Sequence, residues 1–408
     1  MHLVSIGGVT ASSLPAASAA RDFSHTYTVH NPDGGDSMAG TGGTSNQDNF
    51  GMAVACNDTH TAVGAPGNGE VYIYDNSTGA LERTLTGTQF SDQLSMTADH
   101  LLITPRYGGT LKIFRTSDWS DLSVSNTSPS TPGSGGFGDP TAMSSTHFVV
   151  GIPNETYKPS WSGNFPGGRA VLYAVPSASA SSVATGTSIT NPGHGSGAYN
   201  AVNDRFGYAV ATAGSYMAIS QPYQDMSWPG TRSDAGRVYI YSNTGTFIRT
   251  INPPSSAGSS GTPITSHNAR FGFTLGMSAS YMCVGFDTGS YNPRLYDNAT
   301  GNYLREFVTP NGFRGNMEIA MTDTVTMVAA PLRHDDTTST RTFQGVVHYF
   351  ENTTGTLLAT VQRPGGGTVL DRFGQALAIS DSASVISHGF FGGISPTNGY
   401  NNPAYLFG

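Results

Sequence analysis

The chain has 408 residues and a formal net charge of −8 at pH 7, and only 11% of its residues are charged, less than half the usual share. A negative chain without clustered Lys and Arg excludes a nucleic-acid groove, and no apolar run approaches the roughly 18 to 20 residues of a membrane-spanning helix. Gly (52 residues), Ser, Thr and Asn fill the places where a helical protein has Lys and Glu, so the composition favours strands and turns.

The chain begins with "MHLVSIGGVTASSLPAASAA", which ends in an Ala-x-Ala pattern resembling a signal-peptidase site. The segment has no basic start, and Gly7, Gly8 and Thr10 interrupt its weak apolar stretch. We therefore interpret residues 1–21 as an N-terminal arm that docks into a neighbouring protein. The alternative is a weak export signal.

Residues 22–408 contain a sevenfold repeat, with units that begin near residues 48, 89, 136, 204, 269, 314 and 371. The clearest copies are "DRFGYAVATAGSYMAISQP" from Asp204 and "DRFGQALAISDSASVISHG" from Asp371. Each unit contains four short runs in which apolar and polar residues alternate, the signature of half-buried strands. The sequence therefore predicts an all-β fold: a seven-bladed β-propeller of four-stranded antiparallel blades.

The turns between the third and fourth runs read "DNSTG", "SNTG", "DNATG" and "ENTTG". Asn bonds its own backbone in such turns, and we expect the Gly to adopt positive φ: Gly79, Gly245, Gly301 and Gly355. Six Asn-x-Ser/Thr sequons occur, at Asn57, Asn76, Asn126, Asn154, Asn298 and Asn352. Three of them lie in these turns, so turn chemistry explains them without glycans.

The last unit ends at "AYLFG" and lacks a fourth run, whereas "SHTYTVHNP" near the start resembles the fourth runs of other units. We expect residues 24–30 to complete the blade that begins at Asp371, which closes the ring. We also expect Phe206 and Phe373 to wedge between blades, and Gly207 and Gly374 to permit close backbone approach.

These units resemble the FG-GAP repeats of integrin-α-type seven-bladed propellers, over about residues 22–408. The residues that carry the resemblance are Phe50-Gly51 with Gly64-Ala65-Pro66, Phe206-Gly207 with Gln221-Pro222, Phe271-Gly272 with Gly285, Ala329-Ala330-Pro331, and Phe373-Gly374. The resemblance implies the architecture rather than a function, because propellers serve as adhesion modules, enzymes and scaffolds. Many FG-GAP blades carry a calcium loop between their first two strands. Here those turns, such as "CNDTH" and "TAGSY", lack the three spaced carboxylates, so we expect no calcium there.

Catalysis needs converging acids, bases or metal ligands, and the sequence shows none. The 11 histidines are scattered singly, and Cys56 and Cys283 lie far apart in apolar runs, as buried thiols do; a disulfide or metal site is the alternative. Asp335 and Asp336 in "RHDDTT" form either a cation site or a solvated polar loop. We expect no enzyme activity, no catalytic residues, no resident metal and no cofactor.

The expected binding surface is the propeller face that bears the long loops between second and third strands and between blades. Loops of blades three and four there, "NETYKPSWSGNFPGG" and "YQDMSWPGTRSDAG", carry two of the three tryptophans. The predicted partner-binding residues are Trp161, Trp228, Tyr157, Phe165, Tyr223 and Arg232. The alternative is that these side chains only pack their own loops.

The function we expect is that of a non-enzymatic structural or binding propeller of a virion, in a phage tail, beside a fibre or as a decoration. Its expected partners are other virion proteins, contacted through the arm and the long-loop face, and a host-surface glycan or receptor; neither nucleic acid nor membrane insertion is expected. The first alternative is a secreted or cell-surface adhesion or carbohydrate-binding protein. The second is an enzyme that acts on polysaccharides.

Overall fold

The structure is a computed structural model of the chain. It describes residues 21, 23–33, 48–87, 93–104, 111–122, 140–154, 156–157, 165–177, 183, 186–192, 204–226, 232–254, 263–264, 266–287, 291–309, 313, 317–331, 344–365, 372–388 and 403–408. None of these residues belongs to a helix long and apolar enough to cross a membrane.

The strands follow the predicted repeat. In chain order they are β1 (His25–Val29); β2 (Val54–Cys56), β3 (His60–Ala65), β4 (Glu70–Asp75) and β5 (Leu81–Thr86) of blade one; β6 (Gln93–Met96), β7 (His100–Thr104) and β8 (Lys112–Arg115) of blade two; and β9 (Thr141–Met143), β10 (His147–Ile152), β11 (Thr156–Tyr157), β12 (Phe165–Pro166), β13 (Arg169–Ala174) and β14 (Thr187–Thr190) of blade three. Blade four has β15 (Val210–Ala213), β16 (Tyr216–Gln221), β17 (Arg237–Ser242) and β18 (Phe247–Ile251), and blade five has β19 (Leu275–Met277), β20 (Tyr281–Val284), β21 (Arg294–Asp297) and β22 (Tyr303–Glu306). Blade six has β23 (Glu318–Met321), β24 (Val325–Ala329), β25 (Val347–Glu351) and β26 (Leu357–Val361), and blade seven has β27 (Phe373–Ile379), β28 (Ser384–His388) and β29 (Ala404–Phe407).

Each blade is an antiparallel sheet, with its strands in sequence order except in blade seven, where β1 lies outside β29. Strands β11 and β12 form a separate ribbon within blade three. The first strands of successive blades, β2, β6, β9, β15, β19, β23 and β27, contact one another in turn, and β27 contacts β2. The blades therefore close into a ring. The prediction of a seven-bladed propeller is confirmed.

The N-terminal strand closes the last blade, as predicted. β1 pairs antiparallel with β29, with Thr28 opposite Tyr405 and Val29 opposite Ala404. The preceding residue Phe23 donates its backbone N–H to the carbonyl of Gly408 at 3.0 Å, and its ring lies 4.6 Å from that of Tyr349 in blade six. The start of the chain thus completes blade seven and holds blade six against it.

Within the described residues, the outer edge of blade two is a bridge between Phe114 and Asp121 beside the three strands β6, β7 and β8. Trp119, which adopts φ 57° and is 6% exposed, fills the space beside it in the core shared with blade one. Its indole Nε1–H donates to Glu82 Oε1 at 3.4 Å. This tryptophan is therefore structural.

The hydrophobic core is divided into seven clusters, and each lies at the boundary between two successive blades. Phe206 is fully buried between blades three and four, and Phe373 is fully buried between blades six and seven. A Cβ on Gly207 would lie 2.3 Å from the carbonyl oxygen of Arg169, and one on Gly374 would lie 2.6 Å from Ala329 Cβ. The predicted wedge and close-approach roles are confirmed.

The hairpin turns follow the predicted chemistry, since Gly79, Gly245, Gly301 and Gly355 all have positive φ. The turn asparagine also joins the two short turns of its own blade through its side-chain amide. Asn76 Nδ2 donates to the carbonyl of Asn57, Asn298 Nδ2 to that of Ser278, and Asn352 Nδ2 to that of Thr322, at 2.8–2.9 Å. These three sequon side chains form hydrogen bonds within the fold. Asn154 is exposed, and Asn126 lies outside the described residues.

Both cysteines are free and buried. Burial raises the pKa of the Cys56 thiol to about 12 and that of the Cys283 thiol well above its usual value. Cys56 lies at the boundary of blades seven and one, and Cys283 at that of blades five and six. The prediction of two buried thiols is confirmed.

Candidate functional site

The two ends of the propeller differ in the length of their connections. We call the end with the second-to-third strand loops and the blade-to-blade connections the loop face, and the other end the turn face. Connections on the loop face include 153–168, 222–236 and 252–274, whereas the turn face has connections such as 214–215 and 352–356. One connection on the turn face, 175–186 between β13 and β14, is longer. Apart from this connection, the predicted difference in loop length between the two faces is present.

Four of the predicted binding residues, Trp161, Trp228, Tyr157 and Phe165, lie in loops of blades three and four that are only partly within the described residues. Trp161 and Trp228 are outside the described residues, as are Asp335 and Asp336. The backbones of Tyr157 and Phe165 are paired in the ribbon of β11 and β12. The ribbon brings two of the predicted residues together at the base of the blade-three loop.

Arg232 lies inside its loop rather than on the surface. It is 5% exposed, its backbone pairs with that of Met226, and its Nη1 donates to the carbonyl of Ile264. Its Nε and Nη2 have no hydrogen-bond partner among the residues that the structure describes. In this structure Arg232 connects the blade-four loop to the chain that leads into blade five.

Tyr223 lies on the loop face between two guanidinium groups. The Cζ atoms of Arg205 and Arg270 are each 4.6 Å from the centre of its ring. Tyr208 meets the same ring edge-on at 5.6 Å and lies 5.0 Å from the ring of Phe273. Arginine above an aromatic ring is attracted by the ring quadrupole, by about 0.5 to 1 kcal/mol at exposed sites. We call these five residues the Tyr223 cluster; it joins blades four and five.

The two arginines of the cluster differ in their charge partners. Arg270 forms ion pairs with Asp287 and, at 3.5 Å, with Asp234. Among the described residues, Arg205 forms no ion pair. One guanidinium is therefore neutralised by carboxylates of the protein, whereas the other has no ion pair within the described part of the chain.

The arginine positions follow from the backbone before each Phe-Gly pair. Arg205 and Arg270 have φ 55° and 50°, in the left-handed region that costs a non-Gly residue about 1 to 2 kcal/mol. The turn at Arg270 is held by its N–H to the carbonyl of Asp234 and by the N–H of Phe271 to that of Ala235, at 2.9 and 3.0 Å. This turn sends the Phe ring into the core between blades and leaves the preceding arginine on the loop face.

Asp204, next to the cluster, is only 2% exposed. Its Oδ2 accepts a hydrogen bond from Gln221 Nε2 at 3.0 Å, and Gln221 Oε1 accepts one from the Tyr239 hydroxyl at 2.9 Å. Burial, and secondarily the charge of Asp225, raises the pKa of Asp204 to about 8. At neutral pH the carboxyl is therefore mostly protonated, and its burial separates it from any substrate on the surface.

The Tyr223 cluster has the residue types of a binding surface. A half-exposed aromatic ring between two cations is a preorganised contact surface for an acidic or aromatic group. No group of three or more His, Cys, Asp or Glu side chains converges as a metal site within the described part of the chain.

Sequence reasoning named Tyr223 but missed Arg205, Arg270, Tyr208 and Phe273. The signal was present in the repeated Arg-Phe-Gly, which is followed by an aromatic residue in blades four and five.

The FG-GAP repeat family model matches residues 200–241, which cover the first three strands of blade four. The match includes Phe206-Gly207 and Gln221-Pro222, which lie beside a pair of backbone hydrogen bonds between the start of the blade and its second strand. The N–H of Gly207 donates to the carbonyl of Ser220, and the N–H of Ser220 donates to that of Ala209, both at 2.9 Å. The chain thus carries an FG-GAP repeat within a seven-bladed β-propeller. No curated protein matches it.

Proposed function

We propose that this propeller is a non-enzymatic binding module that contacts a protein partner with the part of its loop face formed by blades four and five. The observation that carries the proposal is the Tyr223 ring between Arg205 and Arg270. Arginine and tyrosine are the residue types enriched where truncation weakens protein–protein binding most. Their geometry is set by the ring of blades, so little conformational entropy is lost on binding.

The partner surface that fits this site carries a carboxylate. Arg205 has no ion pair among the described residues, and a planar guanidinium binds a carboxylate through two parallel hydrogen bonds. Stacking on Tyr223 holds the guanidinium plane in place. The two loop tryptophans, Trp161 and Trp228, belong to the same proposed surface because their loops emerge on the same face.

At the level of biology, we propose a structural component of a virion that takes part in assembly or host recognition. The Lys-poor, Gly-, Ser- and Thr-rich composition and the N-terminal arm support this placement. The second candidate is a secreted or cell-surface adhesion protein, which the FG-GAP repeat in blade four favours.

Labelled antibodies in electron microscopy of the producing cells and of the particles they release separate these two settings. Label on particles supports the virion proposal, and label on cells or in particle-free medium supports the adhesion candidate. Label confined to the cell interior contradicts both.

The binding surface itself is tested by Arg205→Ala and Tyr223→Ala, with attachment to the labelled particle or cell as the readout. Arg372→Ala is the matched control, because Arg372 also precedes a Phe-Gly pair with φ 48°, in blade seven. We expect at least a tenfold loss of affinity in the first two variants only. Equal attachment of all three proteins would rule out this part of the loop face.

A further inference from the structure

A cleft of about 420 Å³ opens at the rim of the propeller, between the outer strands of blades four and five. Its volume lies within the range of small-molecule pockets, about 300 to 1,000 Å³. Blade four contributes Thr250, Ile251 and Asn252, at the end of β18. The cleft is thus formed by the rim strands and is separate from the Tyr223 cluster.

Blade five contributes Tyr296, Asn302 and Tyr303 to the opposite wall. The rings of Tyr296 and Tyr303 meet edge-on at 6.0 Å. Tyr296 is 4% exposed, and its hydroxyl lies near the Arg294 guanidinium but has no well-formed hydrogen bond among the described residues. A buried hydroxyl without a hydrogen bond costs about 1 to 3 kcal/mol, so Tyr296 is an imperfectly satisfied polar group in the wall of the cleft.

Comparison with the boundary of blades seven and one shows what is missing at this cleft. There Tyr74 occupies the position of Tyr296, and its hydroxyl donates to the carbonyl of His30 at 2.9 Å. His30 follows the rim strand of blade seven as Asn252 follows that of blade four. At the boundary of blades four and five, the described residues show no corresponding bond from Tyr296 to the carbonyl of Asn252.

The turn of blade five also differs in residue type from that of its neighbours. Asn302 and Tyr303 stand where blade one has Ala80 and Leu81. Asn302 and Asn252 are both exposed, and their side-chain amides have no hydrogen bond within the described residues. The cleft therefore combines two free amides, two tyrosines and the hydroxyl-bearing Thr250.

We propose that this cleft binds one or two sugar units of a neutral carbohydrate. Amides and hydroxyls donate and accept hydrogen bonds, which matches sugar hydroxyls that do the same. The tyrosine rings supply apolar surface for the C–H face of a sugar ring. The described residues that line the cleft carry no formal charge, and the Arg249 guanidinium beside Gly301 donates to the carbonyl of Ala299 at 2.6 Å, so we expect hydrogen bonds rather than an ion pair to select the sugar.

The test uses the full chain and four neutral disaccharides, namely cellobiose, maltose, lactose and chitobiose. Saturation-transfer NMR detects contact, and calorimetric titration at millimolar sugar gives the dissociation constant. Sialyllactose serves as the charged comparison. We expect at least one neutral disaccharide to bind, and to bind better than sialyllactose.

Two variants locate the binding. Tyr296→Phe removes only the hydroxyl, and the double variant Asn302→Ala with Tyr303→Leu installs the residues that blade one has at this turn, so both are expected to fold. Each should weaken binding at least tenfold. Tyr241→Phe is the matched control, because the Tyr241 hydroxyl is also buried and unpartnered but lies at the boundary of blades three and four.

The proposal is overturned if none of the four disaccharides binds, if the double variant binds as the wild type does, or if Tyr241→Phe loses as much affinity as Tyr296→Phe. Arg205→Ala should leave sugar binding unchanged. Failure of the loop-face proposal and failure of this one are therefore distinguishable.

Discussion

The hydroxyl of Tyr27 donates a 2.5 Å hydrogen bond to the carbonyl oxygen of Ser77. Tyr27 lies on β1, the outer strand of blade seven, whereas Ser77 lies in a turn of blade one. The contact therefore joins the last blade of the ring to the first. The Tyr27 ring also covers Gly79, where a Cβ would lie 2.6 Å from Tyr27 Cγ. The chain start is thus a closing element of the propeller.

The first prediction is that weakening this closure exposes one cysteine and not the other. Val29→Asp places a charge at a position that is 2% exposed, in the same core cluster as Cys56, which we expect to cost roughly 3 kcal/mol. Thiol labelling followed by peptide mass spectrometry should show Cys56 reacting at least tenfold faster than in the wild type. Cys283, at the boundary of blades five and six, is the internal control. Equal acceleration at both sites would mean global unfolding instead.

The second prediction is that two truncations separate the role of the N-terminal arm from that of β1. Deleting residues 1–30 removes β1 and should lower the melting temperature sharply, because β29 then has an unpaired edge. Deleting residues 1–18 should leave the melting temperature unchanged and weaken docking to a partner. A short deletion that destabilises the fold as much as the long one would contradict this division.

The pH dependence of Asp204 is the next prediction. Its folded-state pKa of about 8 lies above the unfolded value, so the native state binds more protons between about pH 4 and pH 8, and stability falls as pH rises through this window. Asp204→Asn keeps an oxygen that accepts from Gln221 and removes the charge. It should be as stable as the wild type at pH 4 and more stable at pH 9, by on the order of 5 kcal/mol. Urea unfolding at the two pH values measures the difference, and a gain that is equal at both would refute the assignment.

The tryptophans of the long loops remain a prediction. If Trp161 and Trp228 are anchors, each change to Ala should cost about 2 kcal/mol, roughly thirtyfold in affinity for the particle or cell surface. Leu81→Ala, at an exposed rim position of blade one, is the control for folding and handling. Wild-type attachment by both tryptophan variants would show that the rings only support their loops.

Calcium independence is the last prediction. The turns between first and second strands lack spaced carboxylates, and in blade one the Asn57 Oδ1 already accepts from the N–H groups of Thr59 and His60 at 3.0 and 2.7 Å. We expect a chelator to leave the melting temperature unchanged. A fall on chelation that calcium restores, but magnesium does not, would disprove it, since a tightly bound ion adds several kcal/mol at saturation.

Local chemistry explains what was predictable from the sequence. Period-two alternation, Asn-Gly turns and the recurring Phe-Gly pair depend on neighbours a few residues apart, so the printed sequence shows them directly. The pairing of β1 with β29 was predictable for a different reason: the last unit lacked a fourth run, and a run of the same kind was present near the start of the chain without a unit of its own.

The sequence by itself determined the all-β class, the seven blades, their closure and the burial of Phe206 and Phe373. Only the tertiary structure decided that Arg205 and Arg270 meet at Tyr223, that Arg232 is buried, and that a cleft opens at Tyr296. These relationships join residues of different blades or loops, so they depend on how each blade is rotated against the next. Strand periodicity does not determine that rotation. The same alternating pattern occurs where the tyrosine hydroxyl bonds to the preceding blade, as Tyr74 does, and where a cleft separates the rim strands, as at Tyr296.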